Sequence, residues 1–365
     1  MGLPKAWDLG LPKALGILFT TAGRKHHPDK LPVCPYTGRA WRQRRIRGND
    51  VSRLSEKYQK RGITVSDPGR YRFGILSLLP LSLMLMYCGC FSQNPDTSPG
   101  GKKNRAERII CGSPAVTEII FALGYGDRVV GISDYTIYPP EALKKPSIGG
   151  LLNPNLERLL KLEPDWIITQ GHHQTLASFS DQYGIRFQAV TLDRLEDLCR
   201  AIDLIAKGFE IPNRGHVLKD RIRAEIESVR SRVADRERKR VLILLERRPG
   251  DLSGLTTIGP GSFLDDALSL AGGDNLFSDA RGFYPQVSKE SILMRAPEVI
   301  LELHPNGLSE DLKARLRSDW DRLPGLPNIT RIEFLTSDYL LIPGPRVGRI
   351  IARLAEAVHP EVFHD

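Results

Sequence analysis

The 365-residue chain is 41% hydrophobic and 26% charged, with 33 Gly and 26 Pro, a composition that excludes wholesale disorder, a collagen-like fibre and a multi-span membrane protein. Its net charge of +9 is unevenly placed: residues 1–108 carry net +13 and residues 109–365 net −4. A mildly acidic body repels phosphate, so nucleic acid is excluded as a partner.

Residues 1–72 show no sustained apolar period and contain the cationic run RAWRQRRIR from Arg39 to Arg47, which reads as a disordered or spurious extension. Arg70-Tyr71-Arg72 then precede an apolar run from Phe73 to Tyr87, followed by Cys88-Gly89-Cys90 and the polar stretch FSQNPDTSPGGKKN. A charged segment, an apolar stretch and a small residue before the break are the layout of an export signal over 73–90. The run includes Pro80 and is shorter than the roughly 20 residues of a membrane span. A buried core helix is the competing reading. Residues 91–106 read as a polar linker, and the position of the signal suggests initiation near Val65. Of the five cysteines, Cys111 and Cys199 lie in apolar body segments, without C-x-x-C or a nearby His; they are expected to be buried free thiols.

From residue 107 onward, short β-branched runs alternate with helical patterns. Strands are predicted at Arg108–Cys111, Val129–Ile132, Trp166–Thr169, Phe187–Thr191, Val241–Leu245, Val299–Leu303 and Ile329–Leu335. Ser113-Pro114 supplies a hydroxyl cap followed by Pro, with Gly124 closing that helix, and Asn153-Pro154 is expected to open another in the same way. Such alternation predicts an α/β fold with mostly parallel sheets. Between the strand groups, apolar residues from Val217 to Val233 recur at helical spacing, predicting one helix of over twenty residues across 212–236. Gly215 is expected to delay its first turn, since Gly costs about 1 kcal/mol in a helix. The body therefore divides into a lobe at 107–211, a rigid strut at 212–236 and a second lobe at 237–365.

The lobes echo each other. Glu157 begins ERLLKLEPDWII and Glu290 begins ESILMRAPEVIL; apolar helices end in Gly124-Tyr125-Gly126-Asp127 and in Gly272-Gly273-Asp274. Two matched pieces in one order suggest a duplicated unit. It places Glu157 and Glu290 at equivalent first-turn positions. Dipole capping explains either acid alone, but not their shared register.

Catalytic signatures are missing from the sequence. It holds no P-loop, no G-x-S-x-G, no H-E-x-x-H and no Cys–His arrangement for a nucleophile. Gly259-Pro260-Gly261-Ser262 reads as a tight turn entering a helix, with an anion seat as the alternative. His172 and His173 follow a strand directly, where α/β folds place ligand-facing loops. They read as an exposed polar loop, or one of them as a ligand contact or axial ligand. No metal site is expected.

Together these residues resemble the ABC-importer substrate-binding proteins that capture cobalamin, heme or iron–siderophore complexes. The likeness runs over about 107–360. It rests on GSPAVTEIIFALGYGDRVVGISDYTIYPP (112–140), GGLLNPNLERLLKLEPDWII (149–168), IGPGSFLDDALSLAGGDNLF (258–277), YPQVSKESIL (284–293) and LTSDYLLIPGPR (335–346). The resemblance implies two α/β lobes bridged by a long helix, with the ligand in a cleft between them and no catalysis. It implies that Glu157 and Glu290 dock onto arginines of the two permease subunits, whose ATPase is cytoplasmic. Cobalamin binders are the nearest members, and Tyr135, Tyr284, Asp338 and Tyr339 match positions lining the corrinoid cleft; His172 and Arg346 join them as candidate contacts. Leu151 stands where a cobalamin binder carries Trp. Gly89-Cys90 is similar to the lipidated cysteine of bacterial lipoproteins, although Tyr87 replaces the usual Leu. The expected protein is a monomer at the periplasm or outer surface, lipid-anchored through Cys90. It would have no cofactor of its own and a corrinoid or related metal chelate as ligand. A tetrapyrrole metal chelatase using His172 or His173 is the rival from another class; acids and histidines do not cluster to support it.

Overall fold

The computed structural model describes residues 108–150, 153–248 and 250–363. The expected signal segment, Cys90, the 91–106 linker and Leu151 lie outside the described residues. In the first lobe the order is β1 (Ile109–Cys111), α1 (Pro114–Ala122), β2 (Val129–Ile132), α2 (Leu156–Leu162), β3 (Trp166–Gln170), α3 (Gln174–Tyr183), β4 (Arg186–Val190) and α4 (Leu195–Gly208). Helix α5 (Pro212–Val233) follows. The second lobe comprises β5 (Lys239–Glu246), β6 (Leu255–Thr257), α6 (Phe263–Leu270), β7 (Gly273–Asn275), β8 (Gln286–Val287), α7 (Lys289–Arg295), β9 (Val299–Leu303), α8 (Glu310–Asp321), β10 (Arg331–Leu335) and α9 (Val347–Val358).

The first sheet, β2-β1-β3-β4, is parallel throughout. The second runs β10-β9-β5-β6-β8, and β7 pairs with the early part of β5. Its β10–β9–β5 portion is parallel, whereas β6 and β8 pair antiparallel. These two short strands carry no periodic signal of their own; the free edge beside the end of β5 makes them strands.

Helix starts follow side chains able to satisfy unpaired amides. Ser113 Oγ accepts from Val116 N at 3.3 Å, and Ser262 and Ser288 cap α6 and α7 in the same manner. The cap of α2 is Asn155, whose Oδ1 accepts from Arg158 N at 2.9 Å. The expected Asn153-Pro154 start is thus corrected by two residues, because Pro154 is held in a bridge with Gly149. β10 likewise begins at Arg331, two residues after the expected Ile329, which is exposed. Gly215 does not delay α5, which starts at Pro212. Instead Gly215 is buried where α4 crosses α5: a Cβ there would lie 2.8 Å from Ala206 Cβ.

The duplicated unit is visible in detail. Glu163 and Ala296 terminate α2 and α7 in the left-handed conformation, φ 41° and 48°. Asp165 accepts from Arg108 N, and Glu298 from Arg240 N, at 2.9 and 3.0 Å. In each case the arginine Nε also reaches a carbonyl at the preceding helix end, Glu163 O or Ala296 O. One hydrogen-bonding scheme joins a helix end to a strand start in both lobes.

Strand alternation divides the core. Ile109, Cys111, Trp166 and Ile168 face α1, α4 and α5, while Ile110 and Ile167 face α2 and α3. In the second lobe Val241, Ile243, Leu245, Val299 and Leu301 face α6, α9 and α5, whereas Leu242, Leu244 and Ile300 face α7 and α8. One apolar cluster thus runs through both lobes with Ile222, Ile226 and Val229 of α5 inside it. The outer faces have separate clusters. The lobes are fused along α5 and independent on the opposite side.

Candidate functional site

In a parallel α/β unit the loops after the strands and the helix N-termini share one edge, which is where ligands bind. Here those edges face each other. The loop after β4 meets the start of α6: Phe263 N donates to Asp193 O at 2.7 Å, and Leu195 N donates to Asp266 Oδ2 at 3.1 Å. Burial, joined by the nearby Asp265 and Glu196 charges, pushes the Asp266 carboxyl up to about 6 against the opposing Leu195 bond and Arg194 charge. An apolar crevice lies at this junction, between Gln170 and Leu192 of the first lobe and Leu245, Phe263, Tyr284 and Leu341 of the second. Burial raises the Tyr284 phenol well above its ordinary range, with Asp193 adding to the effect.

The second meeting point is a buried charge cluster. Arg346, at the start of α9, donates through Nε and Nη2 to Glu118 Oε2 and Oε1 at 3.1 and 2.7 Å. Its Nη1 donates to Asp338 Oδ2 at 2.9 Å. The guanidinium lies 4.0 Å from the Tyr138 ring centre and 5.4 Å from that of Tyr339, within cation–π reach. Glu118 and Arg346 side chains are only 2% and 7% exposed, whereas Asp338 is 40% exposed. Burial raises the Glu118 carboxyl above its usual range, and the two arginine bonds oppose that rise. The pair spans 228 residues of sequence and ties α1 to α9 across the cleft. Beside it, Tyr138, Phe121, Arg346, Arg349, Arg221 and Glu225 border a cavity of about 460 Å³ next to α5.

Asp338, Tyr339 and Arg346 are therefore brought together, and Tyr284 occupies the adjoining crevice. Arg346 is buried and bound on both sides. Tyr135 is 43% exposed on the loop after β2, close to Gly150, where an added Cβ would sit 3.7 Å from its ring. His172 is exposed beyond β3, with Nε2 3.1 Å from Gln174 Oε1. His173, expected in an exposed loop, is buried instead, and its Nδ1 accepts from Leu176 N to cap α3. Among the described residues no group of three or more His, Cys, Asp or Glu side chains is placed to hold a metal ion, and no helix is long and apolar enough to cross a membrane. Cys111 and Cys199 are buried thiols, and burial pushes the Cys111 thiol up to about 12. Sequence reading missed Glu118 and Tyr138. Glu118 did carry a signal, as the one charged residue of the apolar helix PAVTEIIFA.

Glu157 and Glu290 occupy the first turns of α2 and α7, at the cleft-side ends of those helices. Both helices pack on the sheet faces turned away from α5, through Leu159 and Ile292. Both acids are exposed. Lys161 Nζ donates to Glu157 at 2.6 Å, while bonds from its own backbone and from Ser288 hold the Glu290 carboxyl below its usual range. The twin carboxylates thus occupy equivalent exposed positions, one on each lobe.

The sequence profile of the family described as periplasmic binding protein matches residues 109–317. A vitamin B12-binding protein of Vibrio parahaemolyticus is 27% identical over 253 residues, 68% of this chain and 88% of the relative. Among solved structures, the periplasmic vitamin B12-binding protein of Vibrio cholerae superposes with a TM-score of 0.58 at 28% identity, covering 71% of this chain and 99% of that one. The periplasmic heme-binding protein of Roseiflexus sp. RS-1, in apo form, gives a TM-score of 0.58 at 28% identity, covering 70% and 99%. With two lobes fused along one helix, a cleft between strand ends and a profile match over most of the body, the chain belongs to the periplasmic binding protein family, the non-enzymatic substrate-capturing components of ABC importers.

Proposed function

We propose that this carrier captures a corrinoid between its lobes and delivers it to an ABC permease. The observation that carries the reading is the interlobe junction itself. The apolar crevice there, walled by Tyr284, holds only about 30 Å³, so it can seat an edge of a macrocycle against the tyrosine only as the lobes part. The half-exposed Asp338 carboxylate, bonded to Arg346 on one side, can accept hydrogen bonds from peripheral amides. The likeness to vitamin B12-binding relatives supports the same ligand class. Tyr135, Tyr339 and His172 are the further contacts we assign to the ligand, which is cargo rather than a cofactor of the protein.

Titration of the purified full chain with cyanocobalamin, heme and a ferric siderophore tests this. Tight binding of cyanocobalamin is expected; binding of heme or the siderophore alone overturns the corrinoid reading.

Delivery uses Glu157 and Glu290 as anchors on the two permease subunits, since anchors related by a pseudo-twofold suit a twofold partner. Glu157→Ala with Glu290→Ala is expected to abolish uptake while leaving ligand affinity within about twofold, because charge pairs across an interface set orientation and coupling. Loss of affinity in that variant would assign the carboxylates to the cleft. The carrier works as a monomer, held at the membrane through acylated Cys90. Two or more acyl chains suffice for stable anchoring and one does not; the mass of the mature N-terminus tests it.

A further inference from the structure

The cluster joining the lobes has an arginine placed where a ligand carboxylate would be welcome, and the fold has already used it. Arg346 presents a planar fork suited to bidentate carboxylate binding. Two of its nitrogens are committed to Glu118 of the other lobe, with both distances at or below 3.1 Å and both side chains buried. The third nitrogen meets Asp338. Two carboxylates surround one guanidinium, so the cluster carries a surplus negative charge, and the group that remains in contact with solvent is Asp338. Arg349 and Arg221 border the neighbouring cavity together with Glu141 and Glu225. Arg349 is exposed, so its field is weakened by solvent and salt.

We propose that Glu118 is a specificity-determining residue. By claiming Arg346 from across the cleft, it leaves an acceptor-only site that takes a metal chelate rimmed with neutral amides and turns away one rimmed with carboxylates. Glu118 acts through Arg346 and is a positioning residue in the strict sense. It fixes the guanidinium, which in turn fixes the Asp338 carboxylate towards the ligand. An amide N–H meets that carboxylate as a charge-assisted donor. A ligand carboxylate at the same place meets a like charge, and such juxtaposition is how binding sites exclude the wrong partner. Replacing Glu118 by a neutral residue would leave Arg346 paired with Asp338 alone, cancel the surplus negative charge and narrow that preference.

The inference rests on the corrinoid reading, and the test separates the two. The purified full chain is titrated with dicyanocobinamide and dicyanocobyrinic acid, which share one corrin ring and differ mainly in an amide or a carboxylate rim. The unaltered chain is expected to favour the amide form by ~100-fold, as like-charge exclusion of several kcal/mol requires. Glu118→Gln keeps the side-chain shape and removes its charge. It is expected to narrow the ratio by at least about tenfold, mainly through tighter binding of the carboxylate form. Asp338→Asn, which spares the contact between the lobes, narrows it as well. A ratio near one in the unaltered chain, or a ratio unchanged in folded Glu118→Gln, overturns the role of Glu118. Should Glu118→Gln fail to fold, an unchanged ratio in Asp338→Asn overturns the charge argument. Binding of neither corrin refutes the corrinoid reading itself, which is a different result from binding both alike.

Discussion

Arg247→Met removes the centre of the most deeply buried polar network in the second lobe. Arg247 Nε donates to both oxygens of Glu302 at 3.0 and 3.2 Å, Nη1 to Asp319 Oδ2 at 2.8 Å and Nη2 to Leu316 O at 2.8 Å. The three charged side chains are 3%, 2% and 3% exposed. Methionine fills much of the same space and supplies none of these donors. Glu302 keeps only the Trp320 indole N–H and His304, and Asp319 keeps Gly250 N–H and Arg322. Breaking a buried pair from one side costs about 3–5 kcal/mol, because a charge is left buried without compensation. Native domains are stable by only about 5–15 kcal/mol. With a urea slope of about 3 kcal/mol/M, the unfolding midpoint falls by roughly 1–1.7 M. Trp320 lies inside the network, 5.9 Å from the guanidinium, so its fluorescence reports this lobe directly.

The pH dependence gives a second check on the same variant. Burial pushes the Glu302 carboxyl up, but bonds and charges from His304, Arg247 and Trp320 outweigh it and hold the group below its usual range; Asp319 is held down in the same way by Arg247, Gly250 and Arg322. A carboxyl with a lowered folded-state pKa contributes stability above its ordinary pKa and loses it as pH falls. Without Arg247 the two acids take up protons more readily, so the deficit of the variant narrows between pH 7 and pH 4. A midpoint shift under about 0.3 M, or a deficit that grows on acidification, refutes the reasoning.

Two further outcomes concern the seams of the molecule. Asp266, raised to about 6 where it bonds Leu195 across the lobes, binds its proton more tightly in the folded than in the unfolded chain. Its contribution to stability is full below pH 4 and falls as pH rises to 6, by about 3 kcal/mol for a shift of two units. Asp266→Asn does not titrate, so its stability relative to the unaltered chain should rise by that order between pH 4 and 7 in urea unfolding; a flat difference would exclude the effect. Gly215→Ala gains about 1 kcal/mol of helix propensity but drives a Cβ to 2.8 Å from Ala206 Cβ, and overpacking costs about 1–3 kcal/mol. The expected result is a net loss near 1 kcal/mol that the exchange Ala206→Gly with Gly215→Ala largely restores; a stabilised single variant would show that the helices separate without cost.

The sequence alone determined what depends on neighbours a few residues apart. Strand and helix alternation, the long helix expected over 212–236, which ends at Val233, the hydroxyl cap at Ser113, and the common register of Glu157 and Glu290 all follow from local periodicity and from amides needing partners. The tertiary structure decided the rest. Pairing of Glu118 with Arg346 joins residues 228 positions apart, and nothing local to either could announce the other. The same holds for β6 and β8, whose few residues become strands only because the end of β5 offers an unpaired edge. Local patterns fix the elements because their energies arise within one or two turns of chain. Buried charges and short edge strands are fixed by groups that only folding brings within a few ångströms.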